Sequence, residues 1–170
     1  HGHIVLTFTG LDLTVAEEVV RLKGASYRVS KYAKSCFTSE ADDSYDKNHR
    51  LVTGQVYKVA FMPGKEIVKD SDRTTAKLRN RGLELYGYGK PLGGFIPRVR
   101  EIVSDKQTEE MGIWYTASLH DPIKDSDGRP RVLYARRLDG GRLVRACWDY
   151  PDVRWRGHGA FAFPVAASLN

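Results

Sequence analysis

His120 and His158 are the histidines whose neighbours could give them chemistry. Each lies at the end of an expected C-terminal element, His120 beside Asp121 and His158 two residues past Arg156. An imidazole among guanidinium groups could move a proton while the arginines hold a phosphate, the equipment of a metal-independent nuclease. No spacing ties the two together, so a pair of surface loop histidines is the plainer expectation. The larger signal is the arginine around them. Residues 129–158 hold eight arginines, no lysine and three acids (Asp139, Asp149, Asp152), which is net +5 of the chain's formal +6. The remaining residues nearly balance, with 19 basic against 18 acidic side chains. Tyr134, Trp148, Tyr150 and Trp155 are interleaved with the arginines. Guanidinium offers planar paired contacts to phosphate or carboxylate, and aromatic rings offer stacking. Arg136, Arg145, Arg154 and Arg156, with Tyr134 and Trp155, are therefore the candidate binding residues. Their partner would be anionic: nucleic acid or an acidic protein. The plainer alternative is a solvated arginine-rich sheet face with Trp148 and Trp155 in the core.

The other constellations carry less. Asp121, Asp125, Asp127 and Gly128 suggest a calcium loop. Aligning Gly128 on the invariant glycine of that loop puts Ile123 at its first ligand position and Tyr134 at its last. An acidic hairpin turn fits better. The glycines at 82, 87, 89, 93 and 94 match neither a P-loop nor a dinucleotide fingerprint. His1-Gly2-His3 has a spacing that can wrap Cu(II), but a tag remnant at residues 1–3 is the simpler reading. Cys36 and Cys147 are far apart and read as buried thiols of a reducing compartment, so a cytoplasmic location is expected. No metal and no cofactor is expected.

These side chains need a scaffold, and length and patterning outline one. A chain of 170 residues can bury about 70% of its unfolded surface as a single domain. With 41% hydrophobic and 28% charged residues it reads as soluble. No apolar run approaches the roughly 18 residues of a membrane span. Residues 4–68 predict β-α-β-β: a strand at 4–9, a helix from Asp12 or Thr14 to Lys23, a strand over 26–37, and a strand at 55–62 closed by Pro63-Gly64. Residues 71–112 predict short helices, one capped by Ser71 or Asp72 and running to Tyr86. A second carries Phe95, Ile96, Val99, Ile102 and Val103 on one face and Arg98, Arg100 and Glu101 on the other. A third runs from Ser104-Asp105 to Gly112. The eight residues joining the first two are too many for a helix-turn-helix. Residues 113–166 predict an antiparallel meander. A turn at Asp139-Gly140 would pair Leu133 with Ala146 and Ala135 with Val144 on an apolar face packed against the helices. Tyr134–Arg145 and Arg136–Leu143 would then share the wetter face.

Four phrases resemble a group of small, uncharacterised bacterial proteins of the integron gene-cassette type: HRLVTGQVYKVAFMPGKEI (49–67), SDRTTAKLRNRGLELYGYGKP (71–91), MGIWYTASLHDPIKDSDG (111–128) and WDYPDVRWRGHGAFAFPV (148–165). The order of elements also looks like that of another group of uncharacterised bacterial proteins. The resemblance implies an accessory gene on a mobile element and lends no activity.

The reading is a single α+β domain, with central helices packing on a C-terminal antiparallel meander. The leading expectation is a non-enzymatic binding module for an anionic partner. The alternative is a small metal-independent nuclease or toxin-like hydrolase using His120 or His158. A homo-oligomer pairing through the strand at residues 160–165, taken as a sheet edge, is a third expectation.

Overall fold

In the computed structural model, which describes residues 1–24, 27–138 and 141–166, the chain begins with β1 (Ile4–Thr9), α1 (Val15–Gly24) and β2 (Tyr27–Val29). Helices α2 (Lys31–Phe37) and α3 (Tyr45–Asn48) lead to β3 (Val56–Pro63). Next come α4 (Thr75–Asn80), which runs on into a π-helical turn (Arg81–Leu85), then α5 (Phe95–Ile102) and α6 (Asp105–Glu110). The chain then forms β4 (Tyr115–Ala117), β5 (Ile123–Lys124), β6 (Pro130–Leu138), β7 (Gly141–Trp148) and β8 (Gly159–Pro164). This is an α+β fold: among the described residues, eight strands form one mixed sheet in the order β1-β3-β8-β4-β6-β7-β2, with β5 added on β6.

β8 explains why the sheet closes as it does. Ala160 and Ala162 join the core on one face, Phe161 and Phe163 the core on the other, and all four are fully buried. A strand covered on both faces reads as a continuous apolar run. β8 pairs antiparallel with β3 and parallel with β4. The expected edge at residues 160–165 is thus a central strand whose backbone groups are already spent on neighbours. The meander is corrected in the same way. β4, β6 and β7 follow it antiparallel, while β8 crosses back to the middle of the sheet.

The segment over 26–37 departs further. Only Tyr27–Val29 is extended, pairing parallel with β7 at the far edge. Ser30 then caps α2, its hydroxyl accepting from Ala33 N at 3.2 Å. Ala33, Cys36 and Phe37 fall at helical spacing and are buried. The helix expected from Ser71 or Asp72 is capped instead by Thr74, whose hydroxyl accepts from Lys77 N. α5 and α6 lie where the pattern places them, and Ser104 with Gln107 completes a capping box on α6. Both faces of α5 are covered, so Arg98 is buried between Glu18 at 3.3 Å and Glu101 at 2.7 Å.

Leu133, Ala135 and Val144 pack with Leu22, Phe37, Tyr45 and Ile96 from the helices on one face. On the other face Tyr115, Val132, Trp155, Phe161 and Phe163 pack with Leu78 of α4.

Candidate anion-binding recess

Alternation along β6 puts Tyr134 and Arg136 on the face opposite Leu133 and Ala135. The β6–β7 register sets Tyr134 against Arg145, Arg136 against Leu143, Leu133 against Ala146 and Ala135 against Val144. That is the pairing the patterning predicts, although the Asp139-Gly140 turn lies outside the described residues. Cys147 of β7 and Tyr115 of β4 share the face of Tyr134.

The segment after β7 folds over these strands and is tied down along its length. Trp155 is buried, and its indole donates to Thr75 Oγ1 at 2.9 Å. Its backbone N–H donates to Arg73 O at 2.8 Å, and the Arg73 guanidinium returns a bond to Trp155 O at 2.9 Å. The Tyr115 hydroxyl donates to Arg156 O at 2.5 Å, and Trp114 N donates to His158 O at 2.9 Å. Gly159 makes the close crossing: a Cβ there would sit 2.0 Å from the Tyr115 ring.

The result is a recess of about 290 Å³ lined by Tyr115, Tyr134, Arg136, Cys147, Arg154, Trp155, Arg156 and His158. It brings together Arg136, Arg154, Arg156, Tyr134, Trp155 and His158 of the candidates from sequence. Arg145 stands just outside, exposed beside Tyr134. Arg154 is paired with Asp70 at 3.3 Å on the surface. Among the described residues, Arg136, Arg145 and Arg156 have no carboxylate partner.

The charges are felt inside the recess. His158 is held below the usual imidazole range by partial desolvation and by Arg156 and Arg136. Burial raises the Tyr134 hydroxyl, against Arg145 and Arg136. Burial also raises Cys147, so its sulfur is a thiol and not a nucleophilic thiolate. The recess therefore offers a neutral imidazole, guanidinium donors and aromatic walls. It could hold a phosphate or carboxylate, and His158 could accept a proton.

His120 is elsewhere. It is fully buried, its Nε2 accepts from Leu133 N at 2.9 Å, and its Nδ1 donates to Asp121 O at 2.5 Å. Both ring nitrogens are committed to the backbone, so His120 is neither a surface histidine nor a partner for His158. Trp148, which the plainer alternative put in the core, is 42% exposed and packs on the Arg131 guanidinium, which it shares with Tyr32. Asp125 is consumed by its own turn: Oδ1 accepts from Asp127 N and Arg129 N, and Oδ2 takes Arg131 Nε at 2.6 Å. The His3 ring is held by Tyr88 at 2.6 Å and Glu66 at 2.9 Å. Among the described residues no group of three or more His, Cys, Asp or Glu is placed to hold a metal.

Sequence reasoning passed over Trp114. It is 47% exposed, its ring lies 6.3 Å from that of His158, and Arg137 stacks on it at 4.8 Å. Its alternation with buried Tyr115 was the available signal. Cys36 and Cys147 are free thiols, and no described helix is long and apolar enough to cross a membrane. No family model, curated protein or solved structure matches this chain, so the functional reading rests on the recess itself.

Proposed function

We propose that this protein is a non-enzymatic binding module for an anionic partner, and that the partner is a single nucleic-acid strand. One observation carries the reading: Arg136, Arg154 and Arg156 converge with His158 on one recess, and Arg136 and Arg156 have no internal acid to neutralise them among the described residues. Such arginines are free to take phosphates. Exposed Trp114, whose ring lies 6.3 Å from that of His158, favours nucleic acid over an acidic protein, because it offers a base a stacking surface near the recess that takes the phosphate. Arg145 would extend the track along β7. Two free thiols suit a cytoplasmic setting, and the cassette-type resemblance suits an accessory role in a bacterium.

The test is fluorescence polarisation with random single-stranded RNA and DNA at low and physiological salt. Three phosphate contacts predict a slope of log affinity on log salt of about −2. Arg136→Ala and Arg156→Ala should each weaken binding about tenfold. Affinity indifferent to salt and to both substitutions would remove the reading.

A second reading is favoured by His158 alone, a neutral imidazole ringed by arginines. It is a metal-independent nuclease, with His158 as the base. RNA cleavage in the same samples, abolished by His158→Ala while binding persists, would establish it. Intact RNA throughout leaves the binding module.

A further inference from the structure

On the opposite face of the sheet, a second cavity of about 270 Å³ lies between β1, β3 and β4 and helices α5 and α6. Leu6, Phe61, Val99, Val103, Met111 and Ile113 form its apolar wall. Ile4 and Ile102, 45% and 43% exposed, mark where it opens to solvent. Its charged lining is already balanced: Arg100 is ion-paired with Asp105, and Glu110 faces Lys106. Two of its polar groups are engaged, since the Thr108 hydroxyl donates to Asp105 O at 2.8 Å and Gln107 Oε1 accepts from Ser104 N at 2.9 Å. Thr116 differs. It is 7% exposed and lines the cavity, yet its hydroxyl has no hydrogen-bond partner among the described residues.

We propose that this cavity binds a small, uncharged, largely apolar molecule the size of a bicyclic aromatic, anchored by one hydroxyl or carbonyl group on Thr116. Size follows from volume: an apolar cavity of about 150 Å³ already holds benzene. Neutrality follows from the balanced lining, because an ion would lose its hydration without gaining a free counter-charge. The single polar anchor follows from Thr116, whose hydroxyl opens on the cavity and is bonded to no other described residue. Alternation on β4 separates the two sites, since Tyr115 faces the recess and Thr116 the cavity. The proposal is therefore independent of nucleic-acid binding.

The experiment titrates 1-naphthol and naphthalene into the full chain and follows amide shifts by two-dimensional NMR. Saturable binding should shift Leu6, Val99 and Thr116. Val103→Phe, which fills the cavity, and Ile102→Trp, which blocks its mouth at an exposed position, should each weaken both probes at least tenfold. The dispersion of the same spectra shows whether each variant is folded. Thr116→Val should weaken 1-naphthol roughly five- to tenfold and leave naphthalene unchanged. Absence of saturable binding, or binding that survives both blocking variants, overturns the proposal. So does a self-associated chain whose interface covers Ile4 and Ile102 and excludes both probes. Equal affinity of Thr116→Val for 1-naphthol overturns the anchor. Arg136→Ala should bind both probes as the unmodified chain does.

Discussion

His49 and His120 face each other inside the molecule with ring centroids 4.5 Å apart. His49 Nδ1 accepts from Gly93 N, which leaves a buried Nε2 with no partner among the described residues. Burial lowers His49 to about 4, against the pull of Asp121 and Asp43, and lowers His120 well below the imidazole range. Each native ring therefore binds fewer protons than its unfolded counterpart below pH 6.5. Their stabilisation is whole above that value and is lost as pH falls toward 4, by roughly 3 kcal/mol for His49 alone. Glu18 works the other way. Burial and the Glu101 carboxylate raise it to about 7, opposed by Arg21, and Arg98 at 3.3 Å is a further opposing charge. A carboxyl raised in the native state favours folding at the acid end of the same window. Glu18 should thus offset part of the histidine loss between pH 7 and 4.5, and Glu18→Gln should steepen the fall. Urea midpoints at the two pH values decide this, and a slope unchanged by Glu18→Gln would sink the idea. Neither burial was legible in the residues, because a histidine at a strand end has the same neighbours in sequence whether buried or not.

At the scale of elements, the recess depends on how the segment after β7 crosses β4. Tyr115 is pinned by its hydroxyl to Arg156 O, so its ring cannot retreat from a Cβ at Gly159. Gly159→Ala should cost about 1–3 kcal/mol of stability and loosen the recess, measured by thermal melting and by RNA affinity. Thr75→Val removes the acceptor of the Trp155 indole. It should cost about 1–2 kcal/mol and weaken nucleic-acid binding although Thr75 does not line the recess. An affinity that stays constant as stability falls would show that the segment does not position its arginines through Trp155. Much at this scale was readable. Alternation of Leu133 and Ala135 with Tyr134 and Arg136 dictated the hairpin register, because a one-residue slip would turn the arginine face into the core. The Ser104 cap was equally local. The helical spacing of Ala33, Cys36 and Phe37 is also present in the sequence, but the aromatic and β-branched residues before it favour a strand.

For the whole molecule, the controlling fact is that β8 lies between β3 and β4. Strands from the two ends of the chain are therefore interleaved, and the sheet has no complete core until Phe161 and Phe163 are in place. A fragment ending at residue 158 should show no cooperative urea transition, and a sharp transition by circular dichroism would contradict that. Late, long-range pairing of this kind favours slow folding. The two faces of the finished sheet then carry different linings, with arginine and imidazole on one and an apolar cavity on the other. Local pattern and composition were enough to establish the α+β class, the hairpin pairing, the helix over 95–102 and the concentration of charge in 129–158. Those features depend on periods of two or about four residues and on turn chemistry within a short window. Which strands become neighbours, which arginines find acids and which histidine is buried depend on contacts between residues tens of positions apart. A strand buried on both faces carries no mark of which strand lies beside it, and only the folded sheet supplies that.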